Sequence, residues 1–478
     1  MNTDVSAPAV LFYRSKLLFY RPSGCFSRSR SCCFRGKQVL TDFILKTFKT
    51  FKTLKTSKTR LCRLKPLKLL KPLKLLKQHH RCDKTSANGA QTLSNMKRIA
   101  ILIIAALSLM SFTAKQERNI NRAIEGVIDQ FDIVGLSAAI VKDGQIVYNH
   151  SFGYKDLETK TPLANDHMMR IASISKSFTA TSLMQLVERG VISLDDDVSD
   201  LIGFTIRNPH HPDVPITLRM VLSHTASIRD KADYFTLDHI NPAVNGDCAD
   251  SYFEYAPGTG YNYSNLGLNL AGTILEKVSG VRFDQYVKDS VITRLGLTGG
   301  HNVDCLDQTK LASLYTRRNG QYVKSDAYGS VAHRLPDYIM GYSAPMFSPT
   351  GGVKISAHDL AQYMIMHMNY GQLNGVRIIS EQSARQMQTP VWIAQKKGED
   401  QYGLCLEEFL NMVDDPRYLQ PGHYLVGHTG NAYGLRSVMI WSPQDRWGIV
   451  AMVSGYTWQK DNDVLHALVN AIYDVAPF

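Results

Sequence analysis

The chain has 478 residues, enough for one large domain or two with a full hydrophobic core. Its 54 Lys and Arg against 42 Asp and Glu would suit nucleic acid or a membrane surface if the excess were spread along the chain. It is not: residues 1–95 hold 21 basic and 3 acidic residues, while the rest holds 33 and 39, a net charge of −6, so the body gives no reason to infer a nucleic-acid partner.

Residues 1–95 read as a low-complexity basic leader. Lys46-Thr47-Phe48 recurs as Lys49-Thr50-Phe51, Lys52-Thr53-Leu54 and Lys55-Thr56-Ser57. Lys65-Pro66-Leu67-Lys68-Leu69-Leu70 repeats as Lys71-Pro72-Leu73-Lys74-Leu75-Leu76. Short repeats broken by proline cannot bury a continuous apolar face. A basic membrane-associating tail is one reading; the preferred one is upstream sequence outside the natural protein. The reason is Met96-Lys97-Arg98, a charged start followed by the apolar run Ile99 to Met110 and the small residues Ser111, Thr113 and Ala114. That is the layout of a secretory signal peptide over 96–114, and the run is too short for a confident span. The expectation is a secreted or periplasmic protein whose mature chain begins near Lys115, with no stable membrane anchor after cleavage. Five of the eight cysteines lie in the leader; Cys248, Cys305 and Cys405 remain, which allows at most one bridge, conceivably Cys248 with Cys305.

Along 116–478, Ile120, Ile124, Val127 and Ile128 predict a helix from Gln116. Leu136–Val141 and Gln145–Ser151 predict two strands joined by the turn Lys142-Asp143-Gly144. A helix follows through Leu183, Leu186 and Val187, with Gly190 at its C-cap. The triplet Asp195-Asp196-Asp197 reads as a solvated loop and helix start rather than a metal site, and His210-His211 between prolines reads as surface loop. A short helix is expected over Thr217–His224, and His224 reads as structural. Residues 300–348 look like a long loop, the kind of excursion that often forms a substrate-binding lid. Helices are expected over Ala357–Tyr370, Ser380–Gln388 and Asn462–Tyr473, and strands over Leu435–Trp441 and Trp447–Val453. Strands at both ends with helices between them predict an α+β fold. Its antiparallel sheet would be flanked by helices, with an all-helical lobe beside it and a cleft between.

Three short motifs carry the chemistry. Ser173 and Lys176, three apart on a predicted helix, would stand side by side, a hydroxyl next to an amine able to take its proton. About two such pairs are expected by chance in a chain of this size, and Ser94–Lys97 is the other one present. Tyr263-Ser264-Asn265 follows the tight turn Pro257-Gly258-Thr259-Gly260, and His428-Thr429-Gly430 comes immediately before a β run. Singly, the second and third could be turn residues and polar groups on an edge strand.

In this order, the three motifs make the chain resemble the serine β-lactamase and penicillin-binding-protein family. The closest branch is that of class C β-lactamases and D-alanyl-D-alanine carboxypeptidases, with esterase and D-aminopeptidase relatives. The likeness runs from Gln116 to Phe478. It implies an exported serine hydrolase working through an acyl-enzyme on D-amino-acid peptides or related amides and esters, a small molecule or peptidoglycan-derived peptide, with no cofactor or metal. A β-lactamase proper, or a penicillin-binding sensor that acylates without turnover, are the alternatives. By the same likeness, Ser173 is the nucleophile, and Lys176 and Tyr263 share its proton, with the base undecided between them. Asn265 orients Lys176 and bonds a substrate amide; the backbone N–H groups of Ser173 and Asn431 form the oxyanion hole. His428 and Thr429, with Gly430, bind a substrate carboxylate. Two positions depart from the pattern: His428 stands where class C enzymes usually have lysine, and Ala226-Ser227 where the family tends to show Ser-Gly. An unperturbed histidine loses its charge between about pH 6 and 8, so KM for anionic substrates would rise over that range.

Overall fold

The computed structural model describes residues 114–478 except 231–232, 395–400, 421, 461 and 477. The leader and all of the signal-peptide segment but Ala114 lie outside the described residues.

Nine α-helices are described: α1 (114–131), α2 (Ser175–Glu188), α3 (Val198–Ile202), α4 (Leu218–Leu222), α5 (Asn265–Ser279), α6 (Phe283–Val287), α7 (Ala357–Met368), α8 (Glu381–Gln388) and α9 (Val464–Tyr473). Six of their starts follow capping chemistry, which supplies acceptors for N–H groups that have no partner inside the helix. Side chains of Asp197, Thr217, Ser264, Ser356, Ser380 and Asp463 accept from the first turns of α3, α4, α5, α7, α8 and α9. The acidic triplet is used locally, as expected from the sequence: Asp197 caps α3 and pairs with Arg207, and Asp195 pairs with Arg219. No described helix is long and apolar enough to cross a membrane.

The main sheet has eight strands: β1 (Gly135–Lys142), β2 (Gln145–Asp156), β3 (Thr161–Pro162), β4 (Gln401–Tyr402), β5 (Glu407–Phe409), β6 (Leu425–Ala432), β7 (Leu435–Ser442) and β8 (Trp447–Ser454). Their order is β4-β5-β6-β7-β8-β1-β2-β3, antiparallel throughout. The N-terminal hairpin thus lies against the last strand, with Ala138 and Val438 both opposite Ala451. Alternation sorts the side chains by face. Leu136, Ala138 and Ile140 pack with α1 and α9, whereas Ala139 and Val141 join the larger core of α2, α5 and α7. Both faces are covered, so β8 is buried along its whole length. The α+β fold with an antiparallel sheet is the one expected from the sequence.

Three details differ. His428, Thr429 and Gly430 lie inside β6, with β5 and β7 as its neighbours, rather than ahead of a strand. Helix α5 directly follows Tyr263-Ser264, where no helix was anticipated. Cys248, Cys305 and Cys405 are all free, so the conceivable bridge does not form.

The excursion over 300–348 is packed against the body. It contains the hairpin Tyr315–Arg318 with Gln321–Lys324. The buried carboxylate of Glu276 on α5 accepts from Gly341 N at 2.7 Å and from the Tyr338 hydroxyl.

Four histidines, His224, His301, His367 and His428, are at most 3% exposed. Burial pushes His367 and His428 down to about 3 and His224 and His301 well below the ordinary histidine range, so all four fold neutral. Below about pH 6.5 the unfolded chain binds protons that the native chain does not, so this stability is lost as pH falls toward 3. Each histidine contributes up to about 1.4 kcal/mol per pH unit in that window. The urea midpoint should therefore drop steeply between pH 7 and pH 5, less so in His367→Gln; equal acid slopes in the two proteins would refute the account.

Candidate active site

Ser173 sits in a single 3₁₀ turn, Ala172–Ile174, that leads straight into α2. Ala172 has φ +48°, a left-handed conformation that a non-glycine residue adopts only when its surroundings hold it there. The turn is pinned by Ile171 N donating to Val353 O at 2.9 Å and by Ser437 Oγ on β7 donating to Ile171 O at 2.9 Å. Lys176, in the first turn of α2, has no exposed surface. Its Nζ reaches Ser173 Oγ at 3.0 Å, Asn265 Oδ1 at 2.8 Å and the Thr350 carbonyl at 2.9 Å.

The amide of Asn265 has only one sensible orientation. Its Nδ2 donates to Asp230 Oδ2 at 2.8 Å, so Oδ1 faces Lys176 and also accepts from Thr350 Oγ1 at 2.6 Å. Asp230 accepts in addition from Asn265 N, Leu266 N and Ser264 Oγ, which fastens the start of α5 beneath the site. With Oδ1 filled by two donors, only the second Nδ2–H is left for the substrate contact expected of Asn265.

Burial pushes Lys176 down to about 7, against the opposing pull of Cys405 and Asp230. Near neutrality a substantial fraction is therefore the free amine. A neutral amine has two N–H bonds and one lone pair. Two of its three neighbours, Asn265 Oδ1 and Thr350 O, can only accept, so they take the two N–H groups. The lone pair is left facing the Ser173 hydroxyl. Tyr263 is pushed well above the usual phenol range by burial, with its hydrogen bond to Ser173 pulling the other way, and so keeps its proton. Its ring face lies 4.7 Å from Lys176 Nζ.

The third motif is also brought here, but with altered chemistry. A Cβ on Gly430 would come within 2.3 Å of Ser437 Oγ and 2.4 Å of Ile171 O, so only glycine lets β6 close on the serine turn. That contact lays Thr429, half-buried, and Asn431, exposed, along the turn bearing Ser173. His428 does not remain an unperturbed, titrating carboxylate binder. It is buried, is held neutral down to about 3 by desolvation and by Lys176, and has both ring nitrogens bonded to protein. The KM rise between pH 6 and 8 expected from its titration therefore loses its basis.

Four residues of the site escaped the sequence reading as site residues: Asp230, Thr350, Tyr402 and His224. Asp230 and Thr350 act through contacts 35 and 174 positions away in the chain, and no spacing rule reports those. His224, read as structural, has its ring 4.2 Å from that of Tyr263. Ser227, in place of the family glycine, takes the left-handed φ +57° itself, and its Oγ accepts from Asn208 Nδ2 at 3.0 Å.

A sequence model described as Beta-lactamase matches residues 120–473. The chain belongs to the β-lactamase family. Among curated relatives, a penicillin-binding protein of Bacillus subtilis is 34% identical over 164 residues, 32% of this chain and 35% of its own length. Protein flp of Staphylococcus aureus is 23% identical over 354 residues, 72% of this chain and 64% of its own length. The chain thus spans about a third of the first relative and less than two thirds of the second. Among solved structures, a class C β-lactamase from Rhodobacter sphaeroides superposes with a TM-score of 0.58 at 20% identity, covering 75% of this chain and 98% of that one. A D-amino acid amidase from Ochrobactrum anthropi gives 0.57 at 19%, covering 74% and 98%. At these identities the β-lactamase likeness of the structures is one of fold.

Asp230→Asn would replace an acceptor of four hydrogen bonds by a group that also donates, turning its amide against Asn265 Nδ2 or a backbone N–H. The rate of fluorophosphonate labelling at Ser173 should fall by about tenfold or more, as for displaced positioning groups, with the thermal midpoint lowered as well. Single-turnover kinetics on the folded variant provide the check, and a wild-type rate would refute this role.

Proposed function

We propose that the protein is a serine hydrolase that works through an acyl-enzyme on esters and amides that carry no carboxylate beside the reacting carbonyl, D-amino-acid amides among them. The observation that carries this reading is the lone pair of Lys176 directed at Ser173 by two obligate acceptors. Ser173 Oγ attacks the substrate carbonyl as its proton passes to Lys176 Nζ, and the carbonyl oxygen becomes an oxyanion. The backbone N–H groups of Ser173 and Asn431 hold that oxyanion; one such donor typically contributes about 3 kcal/mol. Collapse of the tetrahedral species expels the leaving group, which takes the proton from Lys176 through the Tyr263 hydroxyl. Water then attacks the acyl-enzyme by the same route. Lys176 rather than Tyr263 is the base in this scheme, because a phenol pushed far above its usual range is too rarely ionised.

The choice of substrates without that carboxylate follows from His428. Lysine in that position would present a full positive charge to a carboxylate, whereas a buried neutral imidazole presents none. This weighs against the β-lactamase reading, since those substrates carry a carboxylate. The signal-peptide pattern over 96–114 adds export to the proposal; amino-terminal sequencing from the native host should find a mature chain starting near Lys115, and a chain retaining Lys46–Lys77 would contradict it.

Activity should rise with pH as Lys176 loses its proton, with the acid limb of kcat/KM centred near pH 7. Ser173→Ala should abolish labelling by a fluorophosphonate while the protein stays folded, and undiminished labelling would remove Ser173 from the mechanism. KM for an anionic ester and its neutral isostere should run parallel from pH 6 to 8. A panel of a cephalosporin, a D-Ala-D-Ala peptide and a p-nitrophenyl ester separates the remaining alternatives: fastest turnover of the cephalosporin would favour the β-lactamase, and a burst without steady state the sensor.

A further inference from the structure

Behind the catalytic groups lies a closed chain of hydrogen bonds that the proposed chemistry does not use. His428 Nδ1 is 2.6 Å from Thr429 O, and its Nε2 is 3.0 Å from the Tyr402 hydroxyl. That hydroxyl is 3.2 Å from His224 Nε2, and His224 Nδ1 is 3.1 Å from Ser264 N. Both ends are fixed by backbone groups that play only one part. A carbonyl can only accept, so His428 carries its proton on Nδ1, and its Nε2 must accept from Tyr402 O–H. A backbone N–H can only donate, so His224 accepts at Nδ1 and donates from Nε2 to the Tyr402 oxygen. The two deductions start at opposite ends and meet at Tyr402 without conflict. The chain closes only while both imidazoles are neutral: a proton on His224 Nδ1 would face Ser264 N–H, and one on His428 Nε2 would leave the Tyr402 proton without an acceptor.

From this arrangement we infer that Tyr402 is a positioning residue: its hydroxyl locks His224 and His428 into opposite neutral tautomers, and the locked pair holds Tyr263 and the β6 edge in register with Ser173. The contacts run in both directions. The His224 ring lies 4.2 Å from the Tyr263 ring, and the Tyr402 ring meets that of Tyr263 edge-on at 6.4 Å. Ser264 and Thr429, the two backbone anchors, belong to the second and third motifs, so the chain ties one motif to the other. Tyr402 is itself fixed by reciprocal backbone bonds with Trp392, at 3.0 and 3.1 Å.

Charge explains why neutrality matters. Lys176 on α2, Tyr261 and Tyr263 before α5, Asp230, Cys405 between β4 and β5, and Glu407 at the start of β5 are the titratable groups bearing on this cluster. A cation on either histidine would repel the protonated Lys176 and disturb the base. The inference rests on the proposed role of Ser173 and Lys176, but its first test does not involve activity.

Long-range ¹H–¹⁵N correlation NMR of the full chain labelled with ¹⁵N-histidine reads tautomers directly, with His224→Gln and His428→Gln used for assignment. The expected result is an Nδ1–H tautomer for His428 and an Nε2–H tautomer for His224, both unchanged from pH 8 to 5.5. The reverse tautomer in either, or titration of either within that range, overturns the inference. In Tyr402→Phe the tautomer of His428 should no longer be fixed, and kcat/KM should fall by about tenfold to a hundredfold, mostly in kcat. An altered acid limb should accompany that fall. Wild-type tautomers and an unaltered pH profile in the folded variant also overturn it; should the variant not fold, the wild-type tautomers decide. Locked tautomers in a protein whose Ser173 takes no fluorophosphonate would uphold the chain and defeat the hydrolase reading instead.

Discussion

The site depends on one constraint, a lysine buried with no salt-bridge partner among the described residues. Holding Lys176 near 7 instead of its ordinary 10.5 corresponds to roughly 5 kcal/mol of disfavour for its charged form. The energy is supplied by packing around α2, whose first turns, from Ser175 to Met184, are buried without a break. Burial alone would give only a neutral amine pointing anywhere. The two acceptors, Asn265 Oδ1 and Thr350 O, convert neutrality into direction, and direction is what makes a base.

Those acceptors come from distant parts of the chain, and the fold brings them together by close backbone approach. A Cβ on Gly272 of α5 would lie 2.3 Å from the Pro349 ring, so this glycine lets the 349–350 segment settle onto the helix. Thr350 then reaches both Lys176 and Asn265. Left-handed φ values at the non-glycine residues Ala172, His224, Ser227, Ser348 and Cys405 belong to segments that meet around the site. Each such conformation costs on the order of 1–3 kcal/mol and persists only where the surroundings over-determine it. The strained turns and the close glycine contacts are two expressions of the same requirement for tight convergence.

This explains what could be read from the sequence. Strands β1, β2, β7 and β8, the capped helices α7, α8 and α9, and the Ser173–Lys176 pair were legible because each is a local pattern: alternation, a cap, an i to i+3 spacing. The convergence was not. Asp230 lies in a stretch with no periodicity, Thr350 contributes a backbone carbonyl that any residue would supply, and Tyr402 is one tyrosine among 23. Helix α5 was missed because its signal was absorbed into the Tyr263-Ser264-Asn265 motif; Ser264 is at once the motif's centre and the helix cap. The charge of His428 was misjudged for a related reason. A reference pKa describes a solvated side chain, and sequence carries no record of solvation.

The exchange of lysine for histidine at the head of the third motif is therefore more than a weaker positive charge. A lysine has three donors and no acceptor, so it could not receive the Tyr402 proton as His428 Nε2 does. It would also add a cation to a cluster in which Lys176 already opposes charge on His428. A site built around lysine must distribute its hydrogen bonds and charges differently, with a carboxylate-bearing substrate supplying the counter-charge. Here the imidazole closes an internal network that needs no substrate charge to balance it. Under the proposed function, the same residue bears on both substrate preference and the state of the base through the same bonds, and a single substitution at 428 is expected to change both together.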